Sequence, residues 1–303
     1  RSTLFPYTTL FRSGRRGLSA FRGAGSLDEV ALFLNRTTQE LIEPMEGLLR
    51  KRLVREVSEG TRLTVDFCHA NVRDCVYETL PGFKRREFHR RIAAILSARY
   101  SPRVWNPTLS AALRHHYRMA GLPAQELKLH LSEMSFHITL NHTLFPLIED
   151  KVLHSCSIPF GGREETEFKI AQVRELLGKA GDSESLEMAR MEASFLELWG
   201  GYRINWGDYR PGRALIGRAL TLCRQHGFDE IRLHCLEHMG HRFLQTDEGG
   251  RLRDMGRAVV RLAKKLGKEH HIGLGLRFLG VHRMINATRS EERRVGKECR
   301  SRW

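Results

Sequence analysis

Three glycines constrain this chain most. Gly200, Gly240 and Gly280 stand 40 residues apart, and each closes the same kind of stretch. The stretches are Leu196-Glu-Leu-Trp199-Gly200, Leu236-Glu-His-Met239-Gly240 and Leu276-Arg-Phe-Leu279-Gly280. A second marker, Gly-Arg-Ala-Leu at 217–220, returns as Gly-Arg-Ala-Val at 256–259, a spacing of 39. A period of this size means that one supersecondary unit recurs. Apolar residues between the markers fall at helical spacing, and Gly207-Asp208 marks a turn. Each unit is therefore expected to be a helical hairpin. One hairpin cannot bury its apolar face alone, so neighbours must stack into a solenoid. A glycine at each helix crossing would let two backbones approach closely.

Upstream of the repeats the pattern changes. Ser26-Leu-Asp-Glu29 is a capping box, opening a short helix with Leu27, Val30, Ala31 and Leu34 on one face. Asn35-Arg36 breaks it, and Thr37-Thr38 can cap a second helix whose Leu41, Met45, Leu48 and Leu49 share a face. Pro44 lies inside that helix, where it removes a hydrogen bond and predicts a kink. Two extended runs follow. Residues 52–57 lead to a turn at Ser58-Glu59-Gly60, and Leu63 to Phe67 alternates as a half-buried strand does. Two helices, a hairpin and a further helix make a winged-helix pattern with the hairpin as its wing. Farther on, Leu109, Ala112, Leu113, His116 and Tyr117 mark one helix, and Leu127, Leu131, Met134 and Ile138 mark its partner. Gly121 and Pro123 separate the two.

The two ends are related through nucleotides rather than through protein pattern. Residues 1–13 can be written as thirteen codons whose reverse complement, read in frame, encodes residues 289–301. The string resembles a sequencing-library adapter. Residues 1–13 and 289–303 are therefore expected to be adapter artefacts, and 14–288 an internal piece of a longer gene. The formal net charge of +15 includes two positive charges from the first segment and three from the last. Residues 14–288 keep the remaining +10, scattered along helices as on solvated faces.

Residues 67–96, Phe-Cys-His-Ala-Asn-Val-Arg-Asp-Cys-Val-Tyr-Glu-Thr-Leu-Pro through His89-Arg-Arg-Ile-Ala-Ala-Ile-Leu96, resemble the segment after the nucleotide-binding domain in bacterial STAND and AAA-type signalling ATPases. The maltose-activator-like regulators belong to that group. Asp74 stands where glutamate is usual. Residues 112–131, with Leu-Arg-His-His-Tyr-Arg-Met-Ala-Gly-Leu-Pro, resemble the first helical pair that follows, with Glu126 in place of alanine. The repeats resemble tetratricopeptide units, though 40 residues exceeds the usual period of about 34.

The resemblance implies a mainly α fold: a winged-helix unit with a small β wing over 14–100, a linking helical pair over 105–160, and a tetratricopeptide-like solenoid over 161–288. It implies that His69 and Arg73 sense nucleotide in the parent protein. A histidine there can donate to a phosphate oxygen at neutral pH. The plainer reading is that His69 only caps the helix at Ala70, and that Arg73 pairs with Asp74 or Glu78. It also implies ATP or ADP as the parent's cofactor, the upstream nucleotide-binding domain as a partner, and a protein or small ligand on the concave face of the repeats.

Other chemistry is sparse. No Gly-x4-Gly-Lys-Ser/Thr phosphate loop occurs, so neither ATPase activity nor a bound cofactor is expected of this stretch itself. No nucleophile–base–acid set suggests an enzyme. His234, His238 and His241 fall on one helix face and are the weak candidates for metal, with no evident carboxylate partner. His115-His116 and His270-His271 are expected to point to different faces, and Gly273-x-Gly275 lacks the strand a dinucleotide site needs. Cys68, Cys75, Cys156, Cys223 and Cys235 lack Cys-x-x-Cys spacing and read as reduced core residues of a cytoplasmic protein. No apolar run of about 18 residues suggests a membrane span. Two alternatives stay open. One is a DNA-binding winged-helix regulator, using Arg50-Lys51-Arg52 and Lys84-Arg85-Arg86 against phosphates. The other is a scaffold region of a cyclase- or kinase-linked protein. Nucleic acid is not the expected partner, because Glu40, Glu43 and Glu46 lie on the helix that would read bases.

Overall fold

Local chemistry decides where the first helices begin. In the computed structural model, which describes residues 18–20, 25–59, 62–101, 106–142, 162–180, 185–246 and 248–300, Ser26 caps α1 (Leu27–Leu34) through the Glu29 amide. The Glu29 side chain in turn accepts from the Ser26 amide at 3.0 Å. Thr37 and Glu40 close the same reciprocal box on α2 (Thr38–Arg50). Asn35 ends α1 in the left-handed region at φ 54°, a conformation that asparagine tolerates better than most residues. Pro44 is accommodated within α2, buried against the core.

Contacts divide the chain into two compact units, Arg1–Leu129 and His130–Trp303. In the first, β1 (Gly25–Ser26), β2 (Val54–Glu59) and β3 (Arg62–Phe67) form an antiparallel sheet of order β1-β3-β2. Glu59 pairs with Arg62, so the hairpin turns two residues later than the expected Ser58-Glu59-Gly60. Its tip at 60–61 lies outside the described residues. Val65 and Phe67 are buried as the alternation requires. Thr64 is buried too, because its hydroxyl donates to the Val57 carbonyl at 2.8 Å across the hairpin. Two helices follow, α3 (Ala70–Glu78) and α4 (Gly82–Ser97). Then come α5 (Pro107–Ala120) and α6 (Pro123–His142), which runs across the division between the units. The core of the first unit gathers Val30, Phe33, Leu41, Met45, Leu48, Val65, Phe67, Ile92 and Leu113. Helix α4 packs on α1 and α5, and Arg99, just past its end, pairs with the buried carboxylate of Glu29.

The second unit is helical throughout its described residues. Its elements are α7 (Arg163–Ala180), α8 (Leu186–Asn205), α9 (Tyr209–His226), α10 (Asp229–Gln245), α11 (Gly249–Leu266) and α12 (Glu269–Arg300). Consecutive helices from α8 to α12 pack against one another, and α10 also touches both α8 and α12. The first turn of the array forms as the sequence expects: Gly207 adopts φ +83°, and Asp208 receives a 2.9 Å ion pair from Arg203.

The three periodic glycines do not share one job. At Gly200 an added methyl would meet the Ile216 side chain and the Gly212 carbonyl, so α8 and α9 cross there at close range. At Gly240 it would strike the Phe278 ring of α12. Gly280 has open space around it, contrary to the expectation of a third crossing. In that unit the close approach moves to Gly275 of α12 against Gly256 of α11, each facing the other's carbonyl. This packing explains Gly275 without a nucleotide, whereas Gly273 has open space around it.

Cysteine placement also departs from expectation. Cys223 and Cys235 are buried and free, but Cys68 is half-buried and Cys75 is exposed on α3. Cys156 and residues 1–13 lie outside the described residues, as do 301–303. Helix α12 continues through 289–300, the rest of the other segment expected to be adapter-derived. Among the described residues no helix is long and apolar enough to cross a membrane.

Candidate functional site

His69 and Arg73 occupy the first turn of α3. His69 is the N-cap residue, exposed, and its side chain makes no capping hydrogen bond. The plainer expectation of a capping imidazole is therefore not met. Arg73 donates to the His69 carbonyl through its amide at 3.2 Å and pairs through its side chain with Asp74 at 2.9 Å. The two residues share one surface turn.

A denser polar group lies where α3, α4 and α5 meet. His89 of α4 and His116 of α5 are 1% and 2% exposed, and their Nδ1 atoms stand 2.8 Å apart. The other ring nitrogen of His89 lies 2.8 Å from the Tyr77 hydroxyl on α3. His115 completes the group, its ring 5.4 Å from His89 and 5.2 Å from His116. The guanidinium of Arg85 lies over the Tyr77 ring at 4.9 Å and donates to the Leu80 and Glu78 carbonyls. Burial holds His89 down at about 4, helped by repulsion from His115. Burial holds His116 at about 3, with His89 and His115 adding to it. Both rings are therefore neutral at physiological pH.

Among the described residues, His89, His115 and His116 bring three nitrogens within 4.8 Å of one another, close enough to share an ion. Sequence reading missed this group. Adjacent residues on a helix ordinarily diverge, and His89 is separated from His116 by 27 positions and a helix crossing.

The expected metal candidates of the second unit have other occupations. His238 bonds Glu197 of α8 at 2.8 Å, a carboxylate partner the sequence did not reveal. His234 lies against the His271 ring at 5.4 Å, and His271 in turn bonds Glu237 at 2.5 Å. His241 is buried edge-on to Phe278 at 5.3 Å. The pattern is a ladder. Glu197 and Glu237 each stand three residues before a periodic glycine, and each reaches a histidine on the next helix of the α8–α10–α12 layer. Gly201 leaves the space that the His238 ring fills.

The same layer also encloses polar atoms. The Trp199 indole nitrogen, both amide atoms of Asn205, and Nε and one terminal nitrogen of Arg242 are buried without hydrogen-bond partners among the described residues. Buried polar atoms are almost always paired, and each left alone costs roughly 1–3 kcal/mol. A second polar group joins α6, α7 and α8. There the Thr166 hydroxyl lies 2.9 Å from His137 and 2.6 Å from His142, and the Trp206 indole donates to His142 at 3.1 Å.

No protein-family model matches the sequence, and no curated protein matches it. One solved structure does resemble it: a signal-transduction ATPase with numerous domains that carries a tetratricopeptide-repeat sensor, from Pyrococcus horikoshii. The likeness covers 92% of this chain and 48% of that one, at 14% identity and a TM-score of 0.37. The chain thus spans about half the length of that neighbour.

Proposed function

We propose that the chain is a non-catalytic coupling and interaction module. In this reading the first unit is a winged helix that answers to the nucleotide state of an upstream ATP- or ADP-binding domain in a cytoplasmic bacterial regulator. The helical array binds a protein segment or small ligand. The observation that carries the reading is the set of unpaired polar atoms on α8 and α10. Trp199 and Arg242 supply donors and Asn205 both donor and acceptor. These atoms are enclosed where the helices pack, so an extended peptide or a carboxylate-bearing ligand would complete their hydrogen bonds by parting α8 and α10 and inserting its oxygens between them.

The order β1-β3-β2 behind two capped helices supports the winged-helix part of the proposal. DNA reading is disfavoured by the exposed side of α2. That side presents Glu40, Glu43 and Glu46, which would repel phosphate.

The test is peptide selection on the full chain from a library rich in acidic and polar residues. Selected peptides should bind the wild type and lose at least tenfold in affinity against Arg242→Ala and Asn205→Ala. Equal binding to both variants would reject the interaction surface. Tight, sequence-selective binding of duplex DNA by the full chain would replace the reading with the regulator alternative.

A further inference from the structure

We propose that His89, His115 and His116 form a binding site for a divalent transition-metal ion of the zinc class, with the Tyr77 hydroxyl orienting His89 from behind. This inference is independent of the interaction surface above, since all four residues lie in the first unit.

Two Nδ1 atoms 2.8 Å apart cannot both carry protons, and two facing lone pairs repel. Two arrangements resolve the conflict. In one, a single proton lies between the rings, and the direction of the Tyr77–His89 bond follows from which of the two rings carries it. In the other, a cation takes both lone pairs. The His89 Nε2–H then donates to the Tyr77 oxygen, 2.8 Å away. The second arrangement is the usual outer-shell support of a metal-bound histidine, in which the non-ligating ring nitrogen donates to a fixed oxygen.

His115 converts a pair into a site. Its ring is half-buried beside the two buried ones, and the three ligand nitrogens lie within 4.8 Å of one another. Zinc–nitrogen bonds of about 2.0–2.1 Å in a tetrahedron place ligand nitrogens roughly 3.3 Å apart. The His89 and His116 rings need to part by only about half an ångström, and the third ligand to close in. Imidazole donors suit zinc, copper, nickel and cobalt rather than magnesium or calcium. Three protein ligands leave one coordination position for water. The neutral state of the two buried rings is the state that ligation requires. A bound ion would join α4 to α5, so it would clamp two helices that otherwise meet through side-chain packing.

The experiment uses the full chain, stripped of metal with a chelator and then titrated with Zn2+ and, in parallel, with Co2+. One equivalent of Zn2+ should raise the thermal midpoint, and one of Co2+ should give the visible absorption bands of a low-coordinate nitrogen site. His115→Ala removes the half-exposed ligand and leaves the two buried rings in place. It should fold in the absence of metal and lose at least tenfold in Zn2+ affinity. His116→Gln should lose the cobalt bands, and Tyr77→Phe should weaken binding roughly 10–100-fold through the lost outer-shell bond. His270→Ala, at an exposed histidine in the other unit, should change nothing. No midpoint shift and no cobalt bands in the wild type would overturn the proposal. Unchanged Zn2+ affinity in His115→Ala would also overturn it, by showing that the ion binds elsewhere. Unchanged affinity in Tyr77→Phe would remove the tyrosine from the site.

Discussion

Single histidines carry much of the polar interior, and their burial has a pH consequence. Burial holds His241 at about 4, with His238 and Arg277 adding repulsion. His137 is held at about 4 by burial, with repulsion from Lys169 and His142 partly offset by Glu165. An unfolded histidine titrates near 6.5. Between about pH 6.5 and pH 4 the unfolded chain therefore binds protons that the native chain refuses. Stability contributed by these neutral rings is complete above that window and is lost as pH falls through it. The slope approaches about 1.4 kcal/mol per pH unit for each such histidine. Urea midpoints of the full chain measured across this range should fall, and His241→Leu should flatten the fall. An equally steep decline in the variant would show that His241 contributes none of it. The residue scale also separates what a reader of the sequence can find from what stays hidden. The capping boxes at Ser26–Glu29 and Thr37–Glu40 span three residues each, so the letters alone reveal them. The Glu197–His238 bond spans 41 positions and depends on the register of two packed helices. The convergence of His89 with His115 and His116 depends on how α4 crosses α5, which no local pattern encodes.

At the scale of elements, helix spacing in the array is set by where side chains are missing. Gly212 of α9 faces the Gly200 carbonyl and the backbone nitrogen of Ile204, so a methyl there would collide with main chain that cannot rotate away. Gly217, five residues on in the same helix, has open space. The two positions should respond oppositely to one substitution. Gly212→Ala is expected to destabilise the chain by about 1–3 kcal/mol through overpacking. Gly217→Ala should stabilise it by up to about 1 kcal/mol, through helix propensity alone. Denaturant melts of the two variants check the contrast, and stabilisation by both would mean that α8 and α9 are not in close contact at Gly212. Element identity was legible, because the apolar spacing in Leu127, Leu131, Met134 and Ile138 is that of a helix and all four are buried. Element function was less so. The 40-residue period pointed to stacked helices, but it could not say that Gly280 faces open space while Gly275 makes the contact.

The whole molecule comprises two contact units, and a disturbance in one has a defined reach. The core around Ile92, Phe67 and Leu113 shares no member with the core around Ile216, Leu233 and Phe278. Hydrogen exchange of Gly212→Ala should therefore speed up in α8 through α11 and leave α3 through α5 at wild-type rates. Uniform acceleration along the chain would mean that the two units unfold as one. The division also separates the two proposed sites. The histidine group of the first unit and the unpaired donors of α8 and α10 can be altered one at a time.

The unequal roles of the periodic glycines bear on how such a chain could grow. Gly200 serves its own hairpin, Gly240 serves the following unit, and Gly280 serves neither. The units share a length but are not interchangeable parts. Copying the segment around Gly240 into the next position would bring a glycine that expects Phe278 to a place with no such ring. Lengthening this array by duplication would thus require each new copy to be refitted to its neighbour. Its span is a property of the particular sequence rather than of the number of repeats.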